Sequence, residues 1–384
     1  MDRLDNGAPG VTLWHNLTRV DISSYSALFA VAAFVLGAVI GSFLNVGIYR
    51  LPRDLSVNKP RRSFCPVCKT TIPWHQNIPI VSWLLLRGHC AKCGARIAFR
   101  YFGVELLTAL LFLATWQFFP WQVALAYWAF VSILVVATFV DLEHLIIPDQ
   151  ITIGGTIAGI VASFLVPDLM AADSRVAAIV RSILAAALGY VILWVILEGG
   201  KIAFGKKRVA LDAPTPFNWT RQGEDADFVV GEERSLWSDY FAREKDRLLL
   251  HCDEAKIDNR AFGFEVLEFH YNRVRVAEEE FQLDTVDQIS GIARELEIPR
   301  EAMGRGDLKF LAAIGAFLGW RGVLFSIFAG SVVGSVVGLT TLLIGKRVWS
   351  AKLPFGPYLA LGALIWMFFG EKFVQWYFQF INPG

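Results

Sequence analysis

The stretch GRGDLKFLAAIGAFLG, residues 304–319, closes a long polar region, opens an apolar one, and carries Asp307 and Lys309 at the threshold. A membrane-spanning segment normally sheds charge there, because an ionised side chain among acyl chains costs about 2.5–3.5 kcal/mol even on a lenient insertion scale. Such residues usually face a polar interior and serve a function. Arg305, Gly306 and Asp307 also spell an adhesion tripeptide, which would require this segment to lie outside the cell. Whether the rest of the chain crosses a membrane decides between these readings.

Composition favours the membrane. Of 384 residues, 55% are hydrophobic and only 18% charged, with mean hydropathy +0.46 and a net charge of +1. That is too apolar for a soluble domain of this length and fits an all-α polytopic membrane protein. The near-neutral total hides an uneven spread of basic and acidic residues, so net charge says little about partners, and nothing points to nucleic acid. A crossing helix needs about 17–25 mostly apolar residues. Eight segments qualify as candidates: 24–49, 101–119, 121–140, 151–167, 182–197, 308–320, 323–345 and 354–370. The sixth is short, since its thirteen residues rise only about 20 Å as a helix, so it reads as a short or tilted half-crossing.

Basic loops set the orientation. Residues 50–100 hold Arg50, Arg53, Lys59, Arg61, Arg62, Lys69, Arg87, Lys92, Arg96 and Arg100, which places this loop in the cytoplasm and residues 1–23 outside. Counting crossings then puts the loop at Asp141, the cluster Lys206, Lys207 and Arg208, and the cluster Lys346, Arg347 and Lys352 all inside, provided the sixth segment crosses. The adhesion tripeptide thereby faces the cytoplasm and loses its meaning. The first apolar run does not read as a cleaved signal peptide, since mixed residues precede it and no small-residue cleavage site follows. The large polar block 200–303 predicts a small α+β cytoplasmic insertion: Leu236, Trp237, Tyr240 and Phe241 have helical spacing, 262–276 alternates, and 286–296 again looks helical.

CPVC at 65–68 and CAKC at 90–93 give two C-x2-C knuckles separated by twenty-one residues. Four thiolates so spaced suit tetrahedral zinc, and a complete quartet argues for a structural ion, because a catalytic zinc keeps one position open. The alternative, two disulfides, is disfavoured in a reducing compartment. His75 and His89 read as bystanders and Cys252 as an inert thiol.

VDLEHLIIPDQIT, residues 140–152, carries Asp141 at the inner end of the third span and Asp149 just before the fourth. By the topology above, Asp141 and Asp307 share a depth and a side. Two carboxylates brought close tend to share one proton. Such a pair suits peptide hydrolysis, with the ionised member taking a proton from the attacking water and the protonated member hydrogen-bonding the carbonyl oxygen and helping to protonate the leaving amine. It equally suits a proton relay in a transporter, and the residues alone leave both open. No G-x-S-x-G elbow or activated cysteine offers a rival nucleophile. Gly304 and Gly306 would permit close backbone approach beside Asp307. Asp149 and Asp307 also sit where helix caps belong, and Asp149 reads as a cap or supporting residue. Capping explains Asp141 poorly, because a helix C-terminus disfavours an anion.

These motifs, in order, resemble the bacterial type IV prepilin peptidases, the bifunctional leader peptidase and N-methyltransferase enzymes of pilus assembly and type II secretion. The resemblance runs through GSFLNVGIYRLPR (41–53), both knuckles, NIPIVSWLLLRGHC (77–90), RYFGVELL (100–107), VDLEHLIIPDQIT, GRGDLKFLAAIGAFLG and PFGPYLALGA (354–363). It implies that Asp141 and Asp307 are the catalytic pair of a G-x-G-D aspartic peptidase in the bacterial inner membrane, its active site facing the cytoplasm. Gly304, Gly306, Lys309, Pro148 and Asp149 would support that pair, and Cys65, Cys68, Cys90 and Cys93 would hold zinc. The substrates implied are prepilins or pseudopilins, cut after a glycine and then methylated on the new N-terminus with S-adenosylmethionine, an activity associated with the cysteine loop.

The division expected is 1–23 extracytoplasmic, 24–49 first span, 50–100 zinc-binding loop, 101–199 spans two to five, 200–303 insertion, and 304–384 the G-x-G-D motif with spans six to eight. The insertion departs from the family's short linker at this point and is a place for pilus or secretion machinery, a cover for the active site, or substrate recognition. A G-x-G-D intramembrane peptidase with other membrane substrates would lack the cysteine loop. A proton-coupled transporter gives no reason for it.

Overall fold

The computed structural model describes residues 26–53, 55–59, 63–204, 206–222, 225–231, 233–237, 241, 247–263, 265–299, 304–343 and 354–381. The segment 1–23, Arg61, Arg62, Tyr240, Lys346, Arg347 and Lys352 lie outside the described residues.

Helices α1 (Ser26–Arg50), a short α2 (Val81–Leu85), α3 (Phe99–Phe118), α4 (Trp121–His144), α5 (Asp149–Leu165) and α6 (Arg175–Phe204) come first. Nine strands follow, β1 (Lys206–Gln222) to β9 (Gln288–Pro299), and then α7 (Arg305–Leu343) and α8 (Gly356–Ile381). Among the described residues six helices are long and apolar enough to cross a membrane, and α5 is a shorter apolar helix, so the chain is a multi-pass membrane protein. Helices α1 and α3 approach closely through Gly37 and Gly41, a small-xxx-small pair: a Cβ on either would lie within 2.7 and 2.8 Å of the Ala109 and Glu105 Cα atoms.

The predicted sixth and seventh segments form one helical unit that reverses on itself. Gly319 breaks the helix with φ 70° and ψ −179°, a conformation open to glycine. A Cβ at Gly315 would meet Val323 Cγ2 at 2.9 Å, whereas eight residues of straight helix would separate them by about 12 Å. Beyond the turn, Gly322 faces Trp366 and Gly330 faces Tyr358, so the second limb climbs beside α8 back toward the starting end. The first limb is the centre of the bundle. Phe310, Leu311, Ile314, Ala316 and Phe317 are all fully buried, and a helix apolar all round belongs inside. Phe130 of α4 meets Phe317 at 4.8 Å between ring centroids, Gly155 and Gly159 of α5 lie against Ala313 and Ala316, and Gly189 of α6 lies against Leu311.

The insertion corrects one expectation. Among the described residues it is an antiparallel β domain rather than α+β, with strand order β3-β2-β1-β9-β4-β6-β7-β8 and β5 (Arg260–Phe262) beside β4. The alternation seen at 262–276 runs through β6 (Glu265–His270) and β7 (Arg273–Val276). The helical spacing at 286–296 has another cause. Gly291 leaves no side chain on the buried face between Ile289 and Ala293, and the extra residue Arg294 then slips the alternation, so the buried apolar side chains recur at Ile289, Ala293 and Leu296, intervals of four and three. Leu236 closes β3 (Glu233–Leu236). Strands β2 (Asp225–Val230) and β6 stand four places apart in the sheet, about 19 Å if it were flat, yet Phe228 and Phe269 meet at 6.3 Å between ring centroids. The sheet therefore curls around a single core that includes Trp219, Trp237, Leu250 and Leu267.

Candidate active site

Asp141 lies in the last turn of α4, which ends where Leu145 adopts a left-handed conformation and its N–H bonds to the Asp141 carbonyl at 2.9 Å. Pro148 prevents the helix from resuming earlier and stands at the N-cap of α5. The intervening Ile147 is the hinge of the site. A Cβ on Gly306 would meet Ile147 Cβ at 3.1 Å, and one on Gly356 would meet Ile147 Cδ1 at 3.0 Å and Asp141 Oδ2 at 2.8 Å. The start of α7, the start of α8 and the end of α4 thus converge on one apolar side chain.

Both carboxylates are buried there, Asp141 at 5% exposure and Asp307 at 7%. Each accepts a backbone N–H: Gly356 donates to Asp141 Oδ2 at 2.9 Å, and Gly304 donates to Asp307 Oδ2 at 3.2 Å. The second bond is the reach-back half of a capping box, so Asp307 does cap α7. A cap that needed only to cap would sit at the surface; this one is buried between Leu308 and Gly306, the latter against Ile147.

The supporting residues sort themselves around this pair. Gly304 holds Asp307 and Gly306 allows contact with Ile147. Asp149 makes no capping hydrogen bond at the α5 N-terminus, where Pro148 is the N-cap, and pairs instead with Lys309 at 2.6 Å on a half-open surface. Gly356 received no role from the sequence, although its N–H contacts the carboxylate directly. A glycine opening a span beside an aromatic was the available signal. Arg100, joined to Glu143 at 3.1 Å, ties the start of α3 to the end of α4 beside Asp141.

The four knuckle sulfurs lie within 4.8 Å of one another. The Cys65 and Cys93 sulfurs are 3.9 Å apart, close to the roughly 3.8 Å edge of a tetrahedron with 2.3 Å metal–sulfur bonds. All five cysteines are free thiols, so the disulfide alternative fails. The two knuckles are built alike. Phe64 bridges Thr71 and His89 bridges Arg96, while Lys69 and Gly94 follow their knuckles with φ 56° and 70°. Hydrogen bonds from Thr70 pull the Cys68 thiol down to about 6, favouring the thiolate a metal needs. Neither His75 nor His89 belongs to this cluster. Cys252 is buried in the β domain, and that burial, with Asp253 beside it, pushes its thiol up to about 12.

Residues 35–119 match the family model for the bacterial peptidase A24 N-terminal domain. Residues 128–210 and 293–339 match the type IV leader peptidase family, the gap falling within the β domain. The chain is 48% identical over 141 residues to the prepilin leader peptidase/N-methyltransferase of Myxococcus xanthus, a stretch that spans 36% of this chain and 42% of that relative. It is 28% identical over 374 residues to the protein so named in Aeromonas hydrophila, spanning 91% and 94%, and 25% identical over 387 residues to that of Pseudomonas aeruginosa, spanning 94% and 97%. No solved structure matches. The two family models fall in order on one chain and together cover more than half of it, and the chain belongs to the type IV leader peptidase family.

Proposed function

We propose that this protein is an aspartic endopeptidase that removes the leader peptide of type IV prepilins or pseudopilins and then N-methylates the new N-terminus. The observation that carries the reading is the burial of Asp141 and Asp307 around Ile147 at one end of the bundle. One carboxylate, ionised, takes a proton from water as the water attacks the scissile carbonyl. The other, protonated, gives its proton to the carbonyl oxygen; the first then passes the proton taken from water to the departing amine as the C–N bond breaks, and the second recovers its proton from the hydroxyl as the carbonyl re-forms, which resets the pair. The N–H groups of Gly356 and Gly304 hold Oδ2 of Asp141 and Oδ2 of Asp307, which orients the two carboxylates.

The topology proposed has eight crossings, with α5 and each limb of α7 counted as one. Ser182 Oγ bonds to the Ala316 carbonyl and Gly189 packs on Leu311, so α6 runs antiparallel to the first limb of α7 and delivers the β domain to the aspartate end. The end of α1 and the start of α3 bring the cysteine loop to that same end. This is the side where the described basic residues Arg50, Arg53 and Arg100 gather, which supports a cytoplasmic face in the bacterial inner membrane.

Cys65, Cys68, Cys90 and Cys93 would hold zinc in a structural role, fixing the loop. The division proposed keeps 1–23, 24–49, 50–100, 101–199, 200–303 and 304–384 as units, with the β domain a place for pilus or secretion machinery. The methyl donor is S-adenosylmethionine. To test the reading, purified protein is mixed with a prepilin and S-adenosylmethionine labelled in its methyl group. Label appearing on the shortened product supports both activities; a full-length prepilin after incubation with folded protein contradicts the first, and an unlabelled product the second.

A further inference from the structure

The apolar surface of the cysteine loop carries an inference of its own. Segment 78–85, IPIVSWLL, presents Ile78, Val81, Leu84 and Leu85 outward, the last at 78% exposure, and 81, 84 and 85 share one helical face. Phe99, which touches Trp83, extends the same apolar surface at 65% exposure. On a loop hanging in water this would be an unusual patch.

The depth of the segment accounts for it. A belt of charge marks the upper end of the helices, where Arg100 meets Glu143 and Arg50 bonds to the carbonyls of Ser56 and Val57. The Ile80 N–H donates to Glu105 Oε2 at 2.6 Å. Glu105 lies five residues into α3 from Arg100, about 7.5 Å below the belt. Trp83 follows along the same flank, its ring against Phe99 and Phe102 at 5.6 and 5.1 Å between centroids. The chain turns sharply at this lowest point. Ile80 has φ 66° and ψ −55°, and Val81 N–H bonds to the Pro79 carbonyl at 2.6 Å, a strained γ-turn on a β-branched residue. Such a conformation persists only where the surroundings over-determine it, and the Glu105 carboxylate supplies that hold.

We propose that residues 78–85 form a re-entrant apolar foot seated in the acyl region of the bilayer, tethered by Glu105, which keeps the zinc-binding loop down on the membrane surface. Its occupant is lipid, because the exposed face continues the outward face of α3, where Leu107 and Leu110 are exposed within an apolar span. Through Glu105 the tip at Ile80 passes the charged belt, while Trp83, against Phe99 and Phe102, lies level with it; at that boundary acyl chains or protein cover an apolar face. An unsatisfied backbone group at that depth would be costly, and the Glu105 bond to Ile80 N–H removes one.

The test uses full-length protein in vesicles of phosphatidylethanolamine and phosphatidylglycerol with radiolabelled acyl chains. A benzophenone-bearing amino acid is placed in turn at positions 85, 110 and 260, the last on the exposed edge of the β domain. Retention of bound zinc reports that each variant is folded. The foot predicts lipid adducts at 85 comparable to those at 110 and at least about tenfold above those at 260, the ratio a preference of about 1.4 kcal/mol gives. Adducts at 85 no greater than at 260, with 110 labelled normally, would overturn it. So would labelling at 85 only of a prepilin added to the vesicles, which would make the surface a protein-docking face. Neither result depends on activity, so the peptidase reading stands or falls separately.

Discussion

Replacing Gly356 by alanine isolates the role of the backbone around Asp141. A methyl group there would sit 2.8 Å from Asp141 Oδ2 and 3.0 Å from Ile147 Cδ1, against a normal contact of about 3.4 Å or more. The carboxylate must therefore move by roughly 0.5–1 Å, and it has little room, being buried between α4 and α8. A misplacement of that size at a reacting group is enough to lower turnover about 10²-fold. Overpacking would cost about 1–3 kcal/mol of stability. The assay is kcat/KM for prepilin cleavage in detergent–lipid micelles, with the melting temperature measured alongside. Gly154→Ala is the control, since a Cβ there meets nothing within 4 Å. Cleavage by Gly356→Ala within about twofold of wild type, a change worth less than about 0.5 kcal/mol, would refute the claim that Gly356 fixes a catalytic carboxylate.

Three further outcomes follow. Cys65→Ser, at the most buried knuckle sulfur, abolishes zinc retention measured by atomic emission, because a structural site with three thiolates loses much of a binding energy of about 10–16 kcal/mol; full retention would contradict the four-cysteine site. A double-mutant cycle of Lys309→Met and Asp149→Asn gives a coupling of only about 0.2–1 kcal/mol in thermal unfolding, since Asp149 is 61% exposed and screened by solvent. In metal-stripped protein, iodoacetamide at neutral pH leaves Cys252 unmodified in the native state. With its thiol pushed up to about 12, its thiolate population rises tenfold per pH unit below that value, and mass spectrometry of digests should show modification only on raising the pH or unfolding.

How far the sequence could be read depended on the range of the forces involved. Spans declared themselves because hydropathy is a local average, and the cysteine quartet because metal ligands impose spacing. Asp141 and Asp307 stood out because charge at a membrane boundary is costly. Long-range geometry stayed hidden. Nothing local distinguishes Gly319, where the chain reverses, from Gly315 or Gly322, which pack within the two limbs. Gly356 acts through a carboxylate 215 positions away. The β domain misled at 286–296 because a glycine and a bulge in β9 together imitate a helical period, so a pattern argument that assumes regular elements returned the wrong one. Asp149 was drawn to the cap by its position, and Lys309, 160 residues distant, claimed its side chain instead.

The central claim is that Asp141 and Asp307 together hydrolyse the leader bond. Asp141→Asn and Asp307→Asn, each nearly isosteric, are purified separately, and cleavage of a prepilin is followed by the shift in product mass. Each loses a proton-transfer partner, and cleavage should fall by about 10²–10⁴-fold in either variant while zinc content and melting temperature stay near wild type. Undiminished cleavage by either one would contradict the account.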